Sequence, residues 1–392
     1  MKVYLDHNAT TPLHPDVLAA MLPFLGERFG NPSSVHAWGR EARHALETAR
    51  QGVAGALGVA DKDCIVFTGG GTEANNLALK GVLGARTGRP LHLIVSAVEH
   101  HAVLHTADHL ERQGCAVTRL SVDREGVLDP DDVRRAIRPG TVLVSLMHAN
   151  NETGVLFPIA EVAKVCRERD VLFHTDAIQT FGKIPVHVEA LGADLLSISG
   201  HKLHGPKGIG ALYVRRGTKM VALIHGGWQE RARRGGTENV AGAVGLACAA
   251  TLLHADLDEA GHRIAGLRDR LESALVAAGG GALRNGHRQR RLPHVSSLAF
   301  PGAEAESLVL ALDLQGIGVS SGAACSSGAV EPSHVLLAMG LSPEHARSSV
   351  RFSLGRWTSS RDIEYVAETV PPIVERIRRT SGWKPENARS AA

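Results

Sequence analysis

Three features of the chain predict an α/β fold in two lobes. Short runs rich in Val, Ile and Leu alternate with amphipathic segments between about residues 50 and 215, long helices dominate after Thr237, and 392 residues exceed what one hydrophobic core readily serves. In order, the apolar runs are residues 65–68, 91–96, 142–147, 171–175, 195–199 and 211–214. Separated by helical stretches, they read as strands of a mostly parallel sheet that helices cover. Residues 159–169 show the connecting pattern, because Ile159, Val162, Ala163 and Cys166 recur at three- and four-residue steps on one helical face. Residues 240–253 and 264–278 read as longer helices, followed by a basic, glycine-containing stretch at 279–291 and shorter mixed elements. The change places a domain boundary near residue 255, with a large domain over residues 16–255 and a small one built from residues 1–15 and 256–392.

Composition narrows the function classes. With 44% hydrophobic and 21% charged residues, the chain is an ordinary globular protein. Forty-three Lys and Arg against 40 Asp and Glu leave a formal +3, too little for a single-signed field that holds a polyanion. The basic runs at 230–234 and 287–291 read as solvated loops, and aromatics are only 4%, so no direct nucleic-acid partner is expected. No N-terminal apolar segment of signal-peptide length is present, and no window approaches the roughly 18 apolar residues of a membrane span. A cytoplasmic location and no membrane partner are expected. Cys64, Cys115, Cys166, Cys248 and Cys325 are odd in number, widely spaced and form no Cys-x-x-Cys pair, which predicts reduced thiols rather than disulfides or a structural zinc.

In open α/β sheets ligands lie beyond the carboxyl ends of the strands, so the residues that follow each run carry the information. After the first come Gly69, Gly70, Gly71, Thr72 and Glu73, where bare backbone N–H groups at a helix start suit a phosphate. The turn lacks the dinucleotide glycine pattern and its acidic partner, which argues against a nicotinamide-dependent oxidoreductase, and it lacks the P-loop ending. The next runs deliver Glu99, His100 and His101; Asn150 and Asn151; Asp176 and Gln179; and Ser199, Gly200, His201 and Lys202. Any one of these alone is most often a turn or cap residue. Five strands bringing polar groups to one rim describe a site. His101 and His105 have the spacing of a helical metal pair but no third ligand, so no metal is expected.

The set suits a pyridoxal phosphate enzyme. Such an enzyme needs a lysine for a Schiff base, an acid that keeps the pyridine nitrogen protonated as an electron sink, and a phosphate cup. Lys202, Asp176 and the turn at Gly71 and Thr72 supply these. A lysine exchanges protons near neutrality only when its reference pKa of about 10.4 is lowered, and Lys202 closes an apolar strand.

Longer motifs agree. They are Tyr-Leu-Asp-His-Asn-Ala-Thr-Thr-Pro at 4–12, Phe-Gly-Asn-Pro-Ser-Ser at 29–34, Thr-Gly-Gly-Gly-Thr-Glu-Ala-Asn-Asn at 68–76 and Met-His-Ala-Asn-Asn-Glu-Thr-Gly at 147–154. They continue with Asp-Ala-Ile-Gln at 176–179, Ser-Gly-His-Lys at 199–202, Arg-Gly-Gly-Thr-Glu-Asn at 234–239, Ser-Ser-Gly-Ala-Ala-Cys-Ser-Ser at 320–327 and Arg-Phe-Ser-Leu-Gly-Arg at 351–356. In these motifs and their order the sequence resembles the cysteine desulfurases, fold-type-I pyridoxal phosphate enzymes of the class V aminotransferase kind. The resemblance covers nearly the whole chain. It implies a large domain with a mostly parallel seven-stranded sheet and a smaller α+β domain. It also implies that Lys202 holds the cofactor, His100 stacks on its ring and helps move protons, and Asp176 meets the pyridine nitrogen. Gln179 would contact the phenolic oxygen and Asn151 would lie beside ring and substrate. Gly71, Thr72, Ser199 and His201 would bind phosphate, Thr237 would reach the phosphate from the second subunit of a homodimer, and Arg351 would clamp the substrate carboxylate.

Cys325 stands apart from the other four cysteines on sequence grounds. Cys64 and Cys115 open strand-like runs and Cys166 and Cys248 lie on helices, as small buried hydrophobes do. Cys325 sits among Ser, Gly and Ala from Ser320 to Gly328, a stretch suited to a loop. The implied reaction takes sulfur from L-cysteine, leaving L-alanine and a persulfide on Cys325, with Lys202 as the base. The persulfide would serve a sulfur-acceptor protein, such as an iron–sulfur scaffold or a tRNA-thiolation relay. A selenocysteine lyase or C–S lyase on the same scaffold is the alternative, in which Cys325 matters less.

Overall fold

The computed structural model describes residues 1–86, 90–278, 281–321 and 331–383. Its strands are β1 (Val3–Tyr4), β2 (Ile65–Thr68), β3 (His92–Ser96), β4 (Ala116–Leu120), β5 (Thr141–Met147) and β6 (Leu172–Asp176), then β7 (Leu195–Ser199), β8 (Gly210–Val214), β9 (Leu283–Arg284), β10 (Val295–Ala299), β11 (Ile317–Gly318) and β12 (Ser349–Ser353). Seven of them form one sheet in the order β2-β8-β7-β6-β5-β3-β4. From β4 to β7 the pairing is parallel, and β8 runs antiparallel to both β2 and β7. The mostly parallel sheet is therefore present, and each predicted run falls on a strand to within one residue at either end.

Alternation of side chains explains why the sheet is covered on both faces. Val66, Leu93, Val95, Leu143, Leu195 and Leu212 pack with Leu77, Ala78 and Val82 of the helix Gly71–Gly84 and with Val103, Ala107 and Leu110 of the helix His101–Arg112. On the other face Ile65, Phe67, Leu196 and Ile198 pack with the helices Ala37–Ala56 and Val240–His254, while Ile94, Val144 and Phe173 pack with the helix Ile159–Glu168. The edge strand β4 is only half-buried and carries Thr118 and Arg119, so it has no apolar run of its own; only Cys115 pointed to it. The helix predicted from residue 264 starts at Leu257, because its first two turns are half-exposed and lack an apolar stripe.

A second cluster forms around β10 and β12, which pair antiparallel with each other and, through β10, with β9. Here Val3 and Leu5 of the N-terminal segment pack with Leu271, Leu298, Leu308, Phe352, Ile363 and Val366. The segment pairs in parallel with β11 through β1, bridges Ser353 at Asp6, and then runs past the carboxyl ends of the large sheet. Thr11 donates from its backbone to the His201 carbonyl at 2.9 Å. Among the described residues no single helix is long and apolar enough to cross a membrane.

Candidate active site

The strand ends of the large sheet open on one cavity of about 370 Å³. Gly71, Thr72, His100, Asn151, Asp176, Gln179, Ser199, His201, Lys202 and Arg351 all line it. Thr237 does not; it is exposed on its own chain. Cys325 lies outside the described residues.

Lys202 ends a short 3-10 turn, Gly200–Lys202, directly after β7. Its Nζ donates to the carbonyls of Asn8 at 2.5 Å and Ala9 at 2.7 Å. Burial, with Arg351 adding to it against the pull of Asp6 and Asp176, lowers its pKa to about 8. Asp176, at the end of β6, is buried; its Oδ2 accepts from Asn75 Nδ2 at 2.6 Å and its Oδ1 from the Ile178 N–H at 2.9 Å. Burial raises the carboxyl pKa in spite of both donors.

His100 caps the helix His101–Arg112, its Nδ1 accepting from the Ala102 N–H at 3.1 Å, so in the neutral ring the proton sits on Nε2. Burial first, then Lys202, lowers this histidine to about 4. His201 Nδ1 contacts Thr10 Oγ1 at 3.2 Å and is likewise lowered to about 4, mainly by burial. Arg351 on β12 donates from Nη1 to the Asn151 carbonyl and from Nη2 to Asp6 Oδ1, both at 2.8 Å. Its Nε is buried without a partner. The guanidinium fork is thus shared between protein oxygens.

The sequence reading missed several residues of the cavity wall. Asn8 is the main one: its carbonyl accepts from Lys202 Nζ and from Gln179 Nε2 at 3.0 Å, its Nδ2 donates to the Asn151 carbonyl at 2.9 Å, and its Oδ1 meets His294 Nε2 at 2.8 Å. Membership of the 4–12 motif was the available signal. Asn75 lies one helical turn beyond Gly71, a spacing that points both at the same site. Glu152 also lines the cavity, accepts from Ser333 Oγ at 2.5 Å, and is raised to about 7 by burial. Glu99, by contrast, turns inward to Ser96 Oγ and the Met147 N–H, and burial raises it to about 8. The rings of His105 and His334 lie 4.7 and 4.6 Å from that of His101, yet no group of His, Cys, Asp and Glu among the described residues has an arrangement that could hold a metal ion. The four described cysteines are buried or half-buried, and burial raises every one of their thiols, Cys166 to about 12. None of them is a ready nucleophile.

These residues fit pyridoxal phosphate. A Cβ at Gly71 would stand 2.2 Å from Ile178 Cδ1 and 3.3 Å from Ser199 Cβ, so the helix Gly71–Gly84 presents its first N–H groups with no side chain in the way. That cradle suits a phosphate, while a buried carboxylate and a lowered lysine face the same space.

The family model described as aminotransferase class-V matches residues 3–366. A curated relative, the cysteine desulfurase IscS of Dictyoglomus turgidum, is 50% identical over 385 residues, 98% of either chain. The chain belongs to the class-V aminotransferase family, among the cysteine desulfurases. Class-V enzymes of this kind work with pyridoxal phosphate in general. Among solved structures, a NifS-like protein superposes with a TM-score of 0.90 at 38% identity, covering 96% of this chain and 100% of that one. A structure described as SspA in complex with cysteine gives 0.80 at 36% identity, over 91% of this chain and 100% of that one.

Proposed function

We propose that the chain is a cysteine desulfurase that binds pyridoxal phosphate at Lys202 and transfers sulfur from L-cysteine to Cys325. The observation that carries the reading is the convergence of Lys202, the buried Asp176 and the open helix N-terminus at Gly71 on one cavity. When bound, the cofactor supplies an electron sink for the charge left at the substrate Cα. Asp176 keeps that sink cationic. Gly71, Thr72, Ser199 and His201 would hold the phosphate, Gln179 would meet the phenolic oxygen, and His100 would lie against the ring. Asn151 and Arg351 orient the substrate, the latter through its carboxylate.

Lys202, lowered to about 8, can shed and accept a proton near neutrality and moves the Cα proton. His100 offers its Nε2 proton beside it. The Cys325 thiolate attacks the substrate sulfur; an S–S bond forms, the C–S bond breaks, and the carbon skeleton takes up protons to leave as alanine. Exposed Phe29, Val35, Trp38 and Trp228, with the exposed Thr237, support a homodimer in which Thr237 reaches the phosphate of the other copy. The persulfide then serves a sulfur-acceptor protein, an iron–sulfur scaffold or a tRNA-thiolation relay.

The purified protein should absorb near the visible edge, and Lys202→Ala should abolish the band. Cys325→Ala should keep the band but lose sulfide release from cysteine in the presence of dithiothreitol. A colourless wild type that takes up no cofactor overturns the assignment, and undiminished sulfide from Cys325→Ala moves it to a lyase.

A further inference from the structure

A second lysine stands behind the first. Lys183, one turn beyond Gln179, donates from Nζ to Gln179 Oε1 at 3.0 Å. It lines a small cavity of about 50 Å³ that it shares with Lys202, His7, His204 and His294. Neither its pairing nor its place belongs to the roles above.

The geometry constrains the Gln179 amide from two sides. Its Nε2 lies 3.0 Å from the Asn8 carbonyl, which can only accept, so the NH₂ end must face Asn8. The oxygen end then faces Lys183, whose amine donates to it. The same Asn8 carbonyl takes Lys202 Nζ at 2.5 Å, so a shift of Gln179 is felt at Lys202 through one shared acceptor. A flipped amide would set Oε1 against the Asn8 oxygen and leave the Lys183 hydrogen bond unmade. We infer that Lys183 is a positioning residue for the reaction: by holding Gln179 Oε1 it fixes the amide with its N–H groups toward Asn8 and the cavity. The inference rests on the reading of this cavity as a pyridoxal phosphate site, with Gln179 meeting the phenolic oxygen.

The electrostatic setting agrees. Burial, then Lys202 and Arg351, push the Lys183 amine well below its ordinary range, and in either protonation state it keeps N–H groups to donate to Gln179 Oε1. The groups around the two amines are Asp6, Asp176 and His100 on the Lys202 side, His7, His204 and His294 on the Lys183 side, and His201 and Arg351, which face both. An N–H donor favours the more negative form of its partner, so loosening Gln179 raises the pH at which the bound cofactor's visible band titrates.

The test is an absorbance titration of the substrate-free holoenzyme for wild type, Lys183→Met, Gln179→Leu and the double variant. Wild type alone reports whether the cofactor is held, which separates failure of the site assignment from failure of this inference. Lys183→Met should raise the midpoint by about half a pH unit or more, in the direction of Gln179→Leu. The double variant should match Gln179→Leu, because Lys183 acts through the amide. Lys183→Gln, which keeps an N–H donor, should shift less than Lys183→Met, and the comparison rests on it if Lys183→Met does not fold. An unchanged midpoint in the Lys183 variants, or shifts that add in full in the double variant, overturns the inference.

Discussion

Asp176 has lost its water at the end of β6 but keeps two donors, Asn75 Nδ2 and the Ile178 N–H. Hydrogen bonds to an ionised group are worth roughly 1.5–3 kcal/mol each. Asn75→Ala should therefore weaken cofactor binding about tenfold or more, read as the dissociation constant in a cofactor titration; an unchanged constant would mean that Ile178 alone holds the carboxylate. Lys202 gives a pH prediction. Its folded pKa of about 8 lies below the ordinary 10.5, so the unfolded chain binds more protons between those values and stability rises with pH across that window. In the cofactor-free protein Lys202→Met should raise the urea midpoint most below pH 8, with the gain fading toward pH 10. At this scale the sequence carried the strand-end residues well, since position after an apolar run is local information. It did not carry Asn8 or Lys183, whose roles arise only when the N-terminal segment is laid across strands far away in the chain.

Among elements, the segment Gln229–Ala232 is the most constrained. Glu230, Arg231 and Ala232 all have positive φ, a conformation costly for residues with side chains. What holds them is a buried pair: Arg50 of the helix Ala37–Ala56 donates from Nη1 and Nη2 to Glu230 at 2.6 and 2.7 Å, and the Phe67 N–H of β2 donates to the same carboxylate at 2.9 Å. Breaking such a pair from one side costs about 3–5 kcal/mol. Arg50→Met should lower stability by that order in urea unfolding, whereas a loss under 1 kcal/mol would show that the segment is held by other contacts. This link was silent in the sequence, where the 230–234 run read only as a solvated basic loop. The strands of the large sheet were legible because burial on both faces demands unbroken apolar runs, and the half-exposed β4 escaped for the same reason.

For the whole molecule, burial keeps many histidines neutral. His7, His92, His100, His148, His174, His201 and His204 are lowered to about 3 or 4. The unfolded chain protonates them near 6.5, so each adds stability as pH rises from about 4 to 6.5. Glu99 and Glu152, raised to about 8 and 7, and Asp176 and Glu238, also raised by burial, act in the opposite sense above their ordinary range, but burial lowers His101, His294, His334 and His345 as well, so four carboxyls oppose eleven rings. The urea midpoint should therefore climb between pH 4 and 6.5; a flat profile would place these rings in contact with water. The central claim concerns chemistry, and the most direct measurement is the product balance from L-cysteine with a thiol reductant present. The account predicts alanine and sulfide in equal amounts from wild type and neither from Lys202→Ala. Pyruvate in place of alanine, or an undiminished yield without Lys202, would contradict it.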